Sequence, residues 1–571
     1  MGWVQNYEPI GGLWGSALLA AVPIAVLLLA LGVARRSAHL SAGLGLGAAL
    51  VVALGVYRMP VDLMASSTVL GLVFGLWPIA WIAFNAVYFH NVTVATGRFE
   101  SIRAALAGFC PDRRIQALLI AFGFGALLEG VAGGGSPIAI TAAMMAALGF
   151  QPVKAVVLAL LANTAPVAFG GLGNPLIVLG TVAGPLMDME PATATELFSA
   201  MTGRQVPLLS LIIPAFMVVV LAGWRRAWEV WPAVLVTGGS FAAMQFVVAN
   251  FISPSLVDVM AALTAMGALW LLTRVWRPPS VWRFEGEEKE GSAHSGATPD
   301  AGPAAPTTAP EHTGIRAWTP YLILVAVILV SRIGSLFPAL PAWANVTAWL
   351  QSATLEIPWP GLHERIVRVA PITSPDAPYP AVLTLDLLYS AGSVALVAAV
   401  IAGLVMRATP AVLVRVYWQT FVQMRWALAT IMMILAIAHV MNYSGATSTL
   451  GLALAQTGFL FPFFAAFVGW LGVFLTGSDA SSNSLFGPMQ VVSAQQLGVD
   501  PVLAGAANTS GGVMGKMISP QNLSVGATAI GQTGRESALL RQTFWWSVAL
   551  TAVVGLTTLA QAHLFTWMIP G

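Results

Sequence analysis

Charged residues are scarce in this sequence. Only 8% of its 571 residues are Asp, Glu, Lys or Arg, whereas 57% are hydrophobic. A soluble domain carries roughly 25% charged residues, so the composition excludes an ordinary soluble protein. Apolar runs of the ~20 residues that a helix needs to cross a bilayer recur from end to end, and they lack the strict alternation of a transmembrane β-barrel. The sequence predicts an all-α, polytopic membrane protein.

Cysteine pairs, strong net charge and nucleotide-binding motifs are also missing. The single cysteine, Cys110, excludes an internal disulfide and a cysteine metal cluster, and the net charge of +2 indicates no nucleic acid partner. No Walker P-loop, HExxH pair or other metal-ligand spacing occurs. We therefore expect no enzyme, no resident metal and no cofactor. The lipid bilayer is the partner that the composition requires, and the oligomeric state is left open.

The apolar runs define about 12 transmembrane helices. They lie at residues 12–34, 40–57, 66–90, 153–184, 207–223, 229–251, 255–276, 318–338, 385–406, 427–445, 502–530 and 545–569.

Two further segments, about 115–148 and 459–497, are apolar at both ends but interrupted in the middle. The interruptions are EGVAGGGSP at 129–137 and TGSDASSNS at 476–484. A polar, glycine-rich tip at membrane depth is tolerated only where protein or a wet cavity satisfies its backbone. Each segment is therefore predicted to be a re-entrant hairpin.

The distribution of arginine predicts the orientation in the membrane. Most arginine-bearing loops fall on one side under this segmentation, and the positive-inside rule assigns that side to the cytoplasm, with both termini outside. Residues 277–316, poor in large apolar side chains, are predicted to be a disordered cytoplasmic linker between membrane halves at 1–276 and 317–571. Residues 410–426, which mix arginine with aromatics, are predicted to form a separate amphipathic helix on the cytoplasmic surface.

The chain contains an internal duplication. Two motifs recur in the same order and with the same spacing: LG-x-x-PV at 148–153 and 497–502, followed by Asn, Gly and Pro at 163, 170 and 175 and again at 508, 515 and 520. The two copies span about 115–223 and 459–569. The charge count has them entering the membrane from opposite sides, and inverted repeats with discontinuous helices are common in secondary transporters.

Polar residues concentrate at the hairpin tips and in the two broken helices. Half-helices that begin near 137, 484, 167 and 513 would direct four positively polarised N-termini at one midplane region, which suits a small carboxylate. The same breaks could instead serve close helix packing. The substrate-binding candidates are Gly130, Ser136, Asn163, Thr164, Asn174, Thr476, Gly477, Ser478, Ser481, Ser482, Asn483, Asn508, Thr509, Ser510, Lys516 and Gln521. Some of these residues are expected only to form hydrogen bonds with backbone groups that the helix breaks leave unpaired.

Asp479 and Glu129 are the acids at the two tips. An isolated ionised acid at bilayer depth costs ~2.5–3.5 kcal/mol on insertion scales, and a protonated acid avoids this cost. Each is therefore a proton-coupling candidate. The alternative is that the acid caps the tip backbone or pairs structurally with Lys516, which could also neutralise Asp479 or offer its charge to the substrate.

Five stretches resemble the L-lactate permease family of bacterial secondary transporters: FGALLEGVAGGGSPIAI, LGFQPVKA, LANTAPVAFGGLGNP, FLTGSDASSNSLFG and AANTSGGVMGKMISPQNLSVGA. The resemblance is most specific over about 122–181 and 470–541. It implies proton-coupled uptake of L-lactate, or of a related 2-hydroxy-monocarboxylate such as glycolate, across the bacterial cytoplasmic (inner) membrane. It also implies kinship with the ion-transporter superfamily, whose inverted repeats carry hairpins.

The chain departs from the family pattern at the first tip. Gly134 and Ser136 stand where Phe and Thr are usual, and Asn174 stands where the family often has an apolar residue. These changes predict a larger or more polar pocket.

Two other transport modes would use the same residues. Asn-Thr and Ser-Ser-Asn segments with exposed carbonyls suit Na⁺ as well as a proton, so a sodium-coupled carboxylate transporter is the main alternative. A passive anion channel would use the same helix N-termini without an acid to carry coupling.

Overall fold

The computed structural model describes residues 2–34, 36–133, 135–284, 317–337, 339–373, 375–532 and 535–571. Within these ranges, 11 helices are long and apolar enough to cross a membrane. The prediction of a helical, multi-pass membrane protein is confirmed. The count of about 12 crossings stays a prediction, because the predicted crossings at 318–338 and 385–406 correspond to helices shorter than a full span.

The helices are numbered in chain order. Before the predicted linker they are α1 Leu13–Ala20, α2 Val22–Leu28, α3 Ala38–Gly55, α4 Val61–Phe74, α5 Trp81–Ala95, α6 Arg98–Ala107, α7 Arg113–Ala117, α8 Gly125–Val131, α9 Ser136–Ala147, α10 Pro152–Asn163, α11 Gly170–Ala183, α12 Pro191–Ala222, α13 Trp224–Trp228, α14 Trp231–Phe251 and α15 Val257–Val275. After it they are α16 Thr319–Ser331, α17 Ile333–Leu336, α18 Val346–Gln351, α19 Ala391–Val405, α20 Pro410–Ser444, α21 Ala446–Ala455, α22 Phe461–Thr476, α23 Asp479–Leu497, α24 Pro501–Gly515, α25 Pro520–Ala529 and α26 Glu536–His563.

Short turns of other helical types extend or join these elements. The π-helical turns are Leu29–Val33, Gly75–Ala80 and Leu118–Phe124, and the 3₁₀ turns are Val167–Phe169, Gly184–Met187, Pro254–Leu256, Ala342–Ala344, Gly458–Leu460, Lys516–Ile518 and Thr566–Met568.

Five short strands lie together at one end of the helices. They are β1 Trp3–Val4, β2 Thr354–Pro358, β3 Ile366–Arg368, β4 Ala377–Pro378 and β5 Val382–Asp386. Strand β1 pairs in parallel with β3, which pairs antiparallel with β4, while β2 and β5 form a separate antiparallel pair in which Thr354 lies opposite Asp386.

Polar contacts attach this small sheet region to the helix ends. Gln5 donates from Nε2 to the carbonyls of Asn442 and Tyr443, both at 2.9 Å. Arg368 forms an ion pair of 2.7 Å with Asp188. The N-terminus, the loop after α11 and the loop before α19 therefore share one end of the molecule.

Helix α20 corrects the prediction of a separate surface helix at 410–426. It runs without interruption from Pro410 to Ser444 and ends at Gly445, whose φ of 91° is the left-handed conformation that glycine adopts readily at helix ends. The helix continues because no Gly or Pro follows Pro410 within it. It packs closely on α4, where a Cβ at Gly71 would lie 2.6 Å from the Ala436 Cα, a contact that small residues permit.

The first part of the predicted linker packs against the start of α7. Trp282 donates its N–H to Asp112 Oδ2 at 3.0 Å, and its carbonyl accepts from the Arg113 N–H at 3.1 Å. Residues 285–316, the rest of the predicted linker, lie outside the described residues.

The buried Arg114 connects the start of α7 to residues 280–282 and to the region between α13 and α14. The Arg114 side chain is fully buried and forms ion pairs with Asp112 at 2.7 Å and Glu229 at 2.8 Å. It also donates to the carbonyls of Arg226 at 2.8 Å and Ser280 at 2.7 Å. The guanidinium thereby joins α7, the α13–α14 connection and residues 280–282.

Replacing this arginine tests how much these contacts contribute to stability. Arg114→Met leaves Asp112 buried without its cation, and breaking a buried pair in this way costs about 3–5 kcal/mol. We expect a correspondingly lower midpoint of thermal unfolding in detergent. Arg103→Met is the control, because its pair with Glu100 is exposed and 3.6 Å long, which is worth roughly 0–1 kcal/mol. An equal drop in the unfolding midpoint of the two variants would contradict a special role for Arg114.

Candidate functional site

Each predicted tip contains the end of one helix and the start of the next. α8 ends at Val131 and α9 begins at Ser136, while residues 477–478 join α22 to α23. Gly135 and Gly477 have positive φ angles of 84° and 72°, which glycine adopts without a Cβ clash. Gly134 of the first tip lies outside the described residues.

The helix after the second tip begins earlier than predicted. α23 starts at Asp479 rather than near 484, because the Ser478 hydroxyl accepts a hydrogen bond from the Ser481 N–H at 3.3 Å and caps the helix. After the first tip, α9 starts at Ser136, next to the predicted 137.

The two broken helices differ more than their equal motif spacing suggests. α10 ends at Asn163, and regular helical geometry returns only after Gly171, Leu172 and Gly173, whose φ angles are 53°, 60° and 80°. In the second copy α24 continues to Gly515, so the predicted restart near 513 is wrong. A 3₁₀ turn at Lys516–Ile518 follows, and the next helix begins at Pro520. The first copy breaks earlier because its glycines allow left-handed backbone there.

Both tips and both breaks border one cavity of about 530 Å³. The sequence-predicted residues that line it are Glu129, Ser136, Asn174, Thr476, Gly477, Ser478, Asp479, Ser481, Lys516 and Gln521. Residues far apart in sequence and drawn from both copies therefore face the same space.

Sequence reasoning missed the opposite wall of this cavity. It is lined from α3, α5 and α20 by polar residues that include Ser41, His90, Asn91, Gln423 and Thr430. Asn91 donates to Gln423 Oε1 at 3.0 Å and so links α5 to α20. The local sequence gives little signal for this wall, because the 410–426 segment that carries Gln423 has the pattern of a helix on the membrane surface.

Lys516 pairs with Glu129 inside the protein. Lys516 Nζ lies 2.6 Å from Glu129 Oε1, with side-chain exposures of only 5% and 3%. Glu129 Oε2 accepts from Asn163 Nδ2 at 2.9 Å. A Cβ at Gly170 would lie 2.6 Å from Glu129 Oε1, so the first break packs directly on the carboxylate. The alternative in which Lys516 neutralises Asp479 as an ion pair is wrong: Lys516 bridges the second copy to the first.

Asp479 has no such partner. It is 3% exposed, lines the cavity, and neither carboxylate oxygen has a hydrogen-bond partner among the described residues. Asp479 does not cap the tip backbone either, because Ser478 is the residue that caps α23.

The other candidates do not line the cavity, and those with polar side chains form hydrogen bonds to backbone carbonyls or to other side chains. Asn483 donates to the Pro175 carbonyl at 3.0 Å and accepts from Asn508 at 2.9 Å and Thr509 at 3.0 Å. The remaining contacts are Ser482 to the Gly469 carbonyl at 3.1 Å, Ser510 to Gln205 at 2.7 Å and Thr164 to the Leu161 carbonyl at 2.6 Å. Gly130 packs against Asp258 on α15.

Two solved transporter structures show a distant likeness to the chain. The Alcanivorax borkumensis YdaH transporter matches with a TM-score of 0.46 and 16% identity over 87% of this chain and 89% of that one. Neisseria gonorrhoeae MtrF matches with a TM-score of 0.45 and 13% identity over 88% and 84%.

Sequence relatives are much closer and match from end to end. The chain is 42% identical to glycolate permease GlcA of Escherichia coli K12 over 99% of both chains, and 40% identical to the L-lactate permease of the same strain over 100% of both. It is 42% identical to the L-lactate permease of Bacillus subtilis 168 over the full length of both. The family model described as L-lactate permease matches residues 16–565. The chain belongs to the L-lactate permease family.

Proposed function

We propose that this chain imports L-lactate, or a related small 2-hydroxy-monocarboxylate such as glycolate, across the cytoplasmic membrane by proton symport. Relatives named L-lactate permease and glycolate permease support the substrate class. The observation that carries the proton coupling is the buried Lys516–Glu129 pair beside a cavity that both copies line.

Lys516 is where a substrate carboxylate would bind. Among the described residues that line the cavity, it is the one lysine or arginine. A monocarboxylate that approaches its ammonium group competes directly with Glu129 for the same charge. A cavity of about 530 Å³ leaves ample room for an acid of three carbon atoms.

Proton uptake follows from this competition. A Glu129 carboxylate that loses Lys516 keeps Asn163 as a hydrogen-bond donor but stays buried without a counter-charge. An uncompensated buried charge costs several kcal/mol, and protonation of Glu129 removes it. Binding one substrate carboxylate therefore favours binding one proton, which is the requirement for electroneutral symport.

Asp479 is the second proton-coupling group in this scheme: it exchanges the proton between the cavity and Glu129, so coupling needs both acids. It lines the same cavity, and among the described residues its oxygens have no hydrogen bond or ion pair that would stabilise the ionised form. Its protonated form is the one that the buried surroundings favour. Unlike Glu129, Asp479 can exchange its proton without first breaking an ion pair.

The proposed architecture is a pair of inverted repeats with re-entrant hairpins at about 115–223 and 459–569. The helix after each tip packs on the resumed helix of the other copy, which supports this symmetry. Asn483 on α23 donates to the Pro175 carbonyl on α11 at 3.0 Å, and a Cβ at Gly526 on α25 would lie 3.5 Å from Ile138 Cγ2 on α9. With the predicted orientation, both termini are outside and the linker at 277–316 is cytoplasmic.

Asp479→Asn tests the proton site. In proteoliposomes we expect lactate uptake driven by an inward proton gradient to be lost, because the amide keeps the shape of the acid but binds no proton. Exchange of labelled for unlabelled lactate at equal pH should persist. Asp62→Asn is the control, since Asp62 is an exposed acid paired with Arg365 at 3.0 Å.

Unchanged gradient-driven uptake in Asp479→Asn would exclude Asp479 as a coupling group. Wild-type uptake that responds to sodium at fixed pH, and not to the proton gradient, would instead favour the sodium-coupled alternative. The two outcomes can be told apart, because the first is measured on the Asp479→Asn variant and the second on the wild-type protein.

A double substitution tests the ion pair. Lys516→Gln leaves Glu129 buried and unpaired, so we expect it to lower the free energy of unfolding by about 3–5 kcal/mol. Adding Glu129→Gln should restore most of that loss, because no charge is then left buried. Thermal unfolding in detergent measures stability, and lactate uptake should be absent in both variants. A double variant that is no more stable than Lys516→Gln, or that still transports, would contradict the proposed pairing.

Asn174 offers a test of substrate selection. It lines the cavity, and its side-chain oxygen is buried without a hydrogen-bond partner among the residues described. If this oxygen accepts from the 2-hydroxyl of the substrate, Asn174→Leu should weaken competition by lactate relative to pyruvate by about 1 kcal/mol, or roughly fivefold. The exposed Thr457→Val serves as control. If lactate and pyruvate compete in the same ratio as in the wild type, another residue recognises the hydroxyl group.

A further inference from the structure

A third acid lies behind the first tip, away from the cavity wall. Asp258 is the second residue of α15 and is only 1% exposed. Neither of its carboxylate oxygens has a hydrogen-bond partner within the described parts of the chain. A buried carboxylate in this situation has lost its water without gaining a donor in exchange.

The position of Asp258 is set by close packing between α15 and α8. A Cβ added at Gly130 would lie 2.6 Å from Asp258 Cβ and 3.2 Å from the Val259 nitrogen. Glycine is therefore required at this point of α8. Because Gly130 follows Glu129 in the chain, the contact brings Asp258 against the turn of α8 that also carries Glu129.

The charged groups that act on Asp258 from the surrounding elements are Glu129 on α8 and Lys516 in the second break. The only other charged residue on α15 is Arg274, in the last turn of that helix. Glu129 repels an ionised Asp258, and Lys516 attracts it. The ammonium group of Lys516, however, already lies 2.6 Å from Glu129.

The buried acids around Lys516 outnumber this one lysine. Glu129, Asp258 and Asp479 are three buried acids, and Lys516 is a buried cation that attracts Asp258 and Asp479. Lys516 is paired with Glu129, so among the described residues Asp258 and Asp479 have neither an ion pair nor a hydrogen bond. An ionised carboxylate is not stable in such surroundings, whereas the protonated acid is neutral.

We propose that Asp258 is a proton-binding site separate from the cavity, a buried carboxylic acid that holds its proton while Lys516 is paired with Glu129. The proposal extends the proposed proton symport, because it adds a second protonated acid to the group that includes Asp479. The ligand of this site is the proton itself, and the oxygens of Asp258 form the whole site.

Infrared spectroscopy of the purified full-length protein in lipid tests this directly, since protonated and ionised carboxyl groups absorb at separate frequencies. At neutral pH we expect Asp258→Asn to lose one band of a protonated carboxyl group, and Asp479→Asn to lose a different one. Asp258→Glu, which keeps an acid, should retain a protonated band at a shifted frequency. Asp62→Asn should lose none, because Asp62 is exposed and ion-paired.

An Asp258→Asn spectrum with every protonated-carboxyl band of the wild type would overturn the proposal. A lost carboxylate band in that variant would do so as well, since Asp258 would then be ionised. Both readings are independent of transport. Failure of wild-type vesicles to respond to a proton gradient would refute the proposed symport and leave the assignment of the Asp258 proton intact.

Discussion

A charge buried in the interior of a membrane protein has to be paired, protonated or hydrogen-bonded, and the arrangement around Lys516 follows from this constraint. Lys516 and Glu129 are 387 residues apart in sequence, yet their side chains meet at 2.6 Å. The pair joins the break of one copy to the tip of the other. Gly170 leaves room for the carboxylate, and Asn163 donates to its second oxygen.

The same constraint applies to the uncharged backbone at the tips and breaks. A helix that stops inside the membrane exposes N–H and carbonyl groups that lipid cannot satisfy. Ser478 and Ser519 cap the helices that begin after them, and Asn483 reaches the carbonyl of Pro175 across the two copies. Several of the polar residues in these segments thus hold the broken helices in place, while others line the cavity.

In the proposed symport, coupling depends on the balance between buried acids and Lys516. The acid that is paired with Lys516 can stay ionised, and the other buried acids carry protons. A substrate carboxylate enters this balance as one more anion competing for the same cation. The proposed coupling has a sufficient energetic basis, because an uncompensated buried charge costs several kcal/mol.

Much of this molecule was predictable from local sequence. Long apolar runs with few charges determined the membrane class and most helices, since crossing lipid is a property of each segment by itself. The motifs around the two tips identified the family and ten of the residues that line the cavity. Other features depended on contacts between distant segments. Hydropathy did not distinguish a surface helix at 410–426 from the first part of the continuous α20, nor show that Asn91 and Gln423 complete the cavity. Only the tertiary structure decided that Lys516 pairs with Glu129 and that Asp258 packs on the neighbouring Gly130 with no hydrogen-bond partner among the described residues. Electrostatic pairing depends on distance in space, which spacing along the chain does not encode.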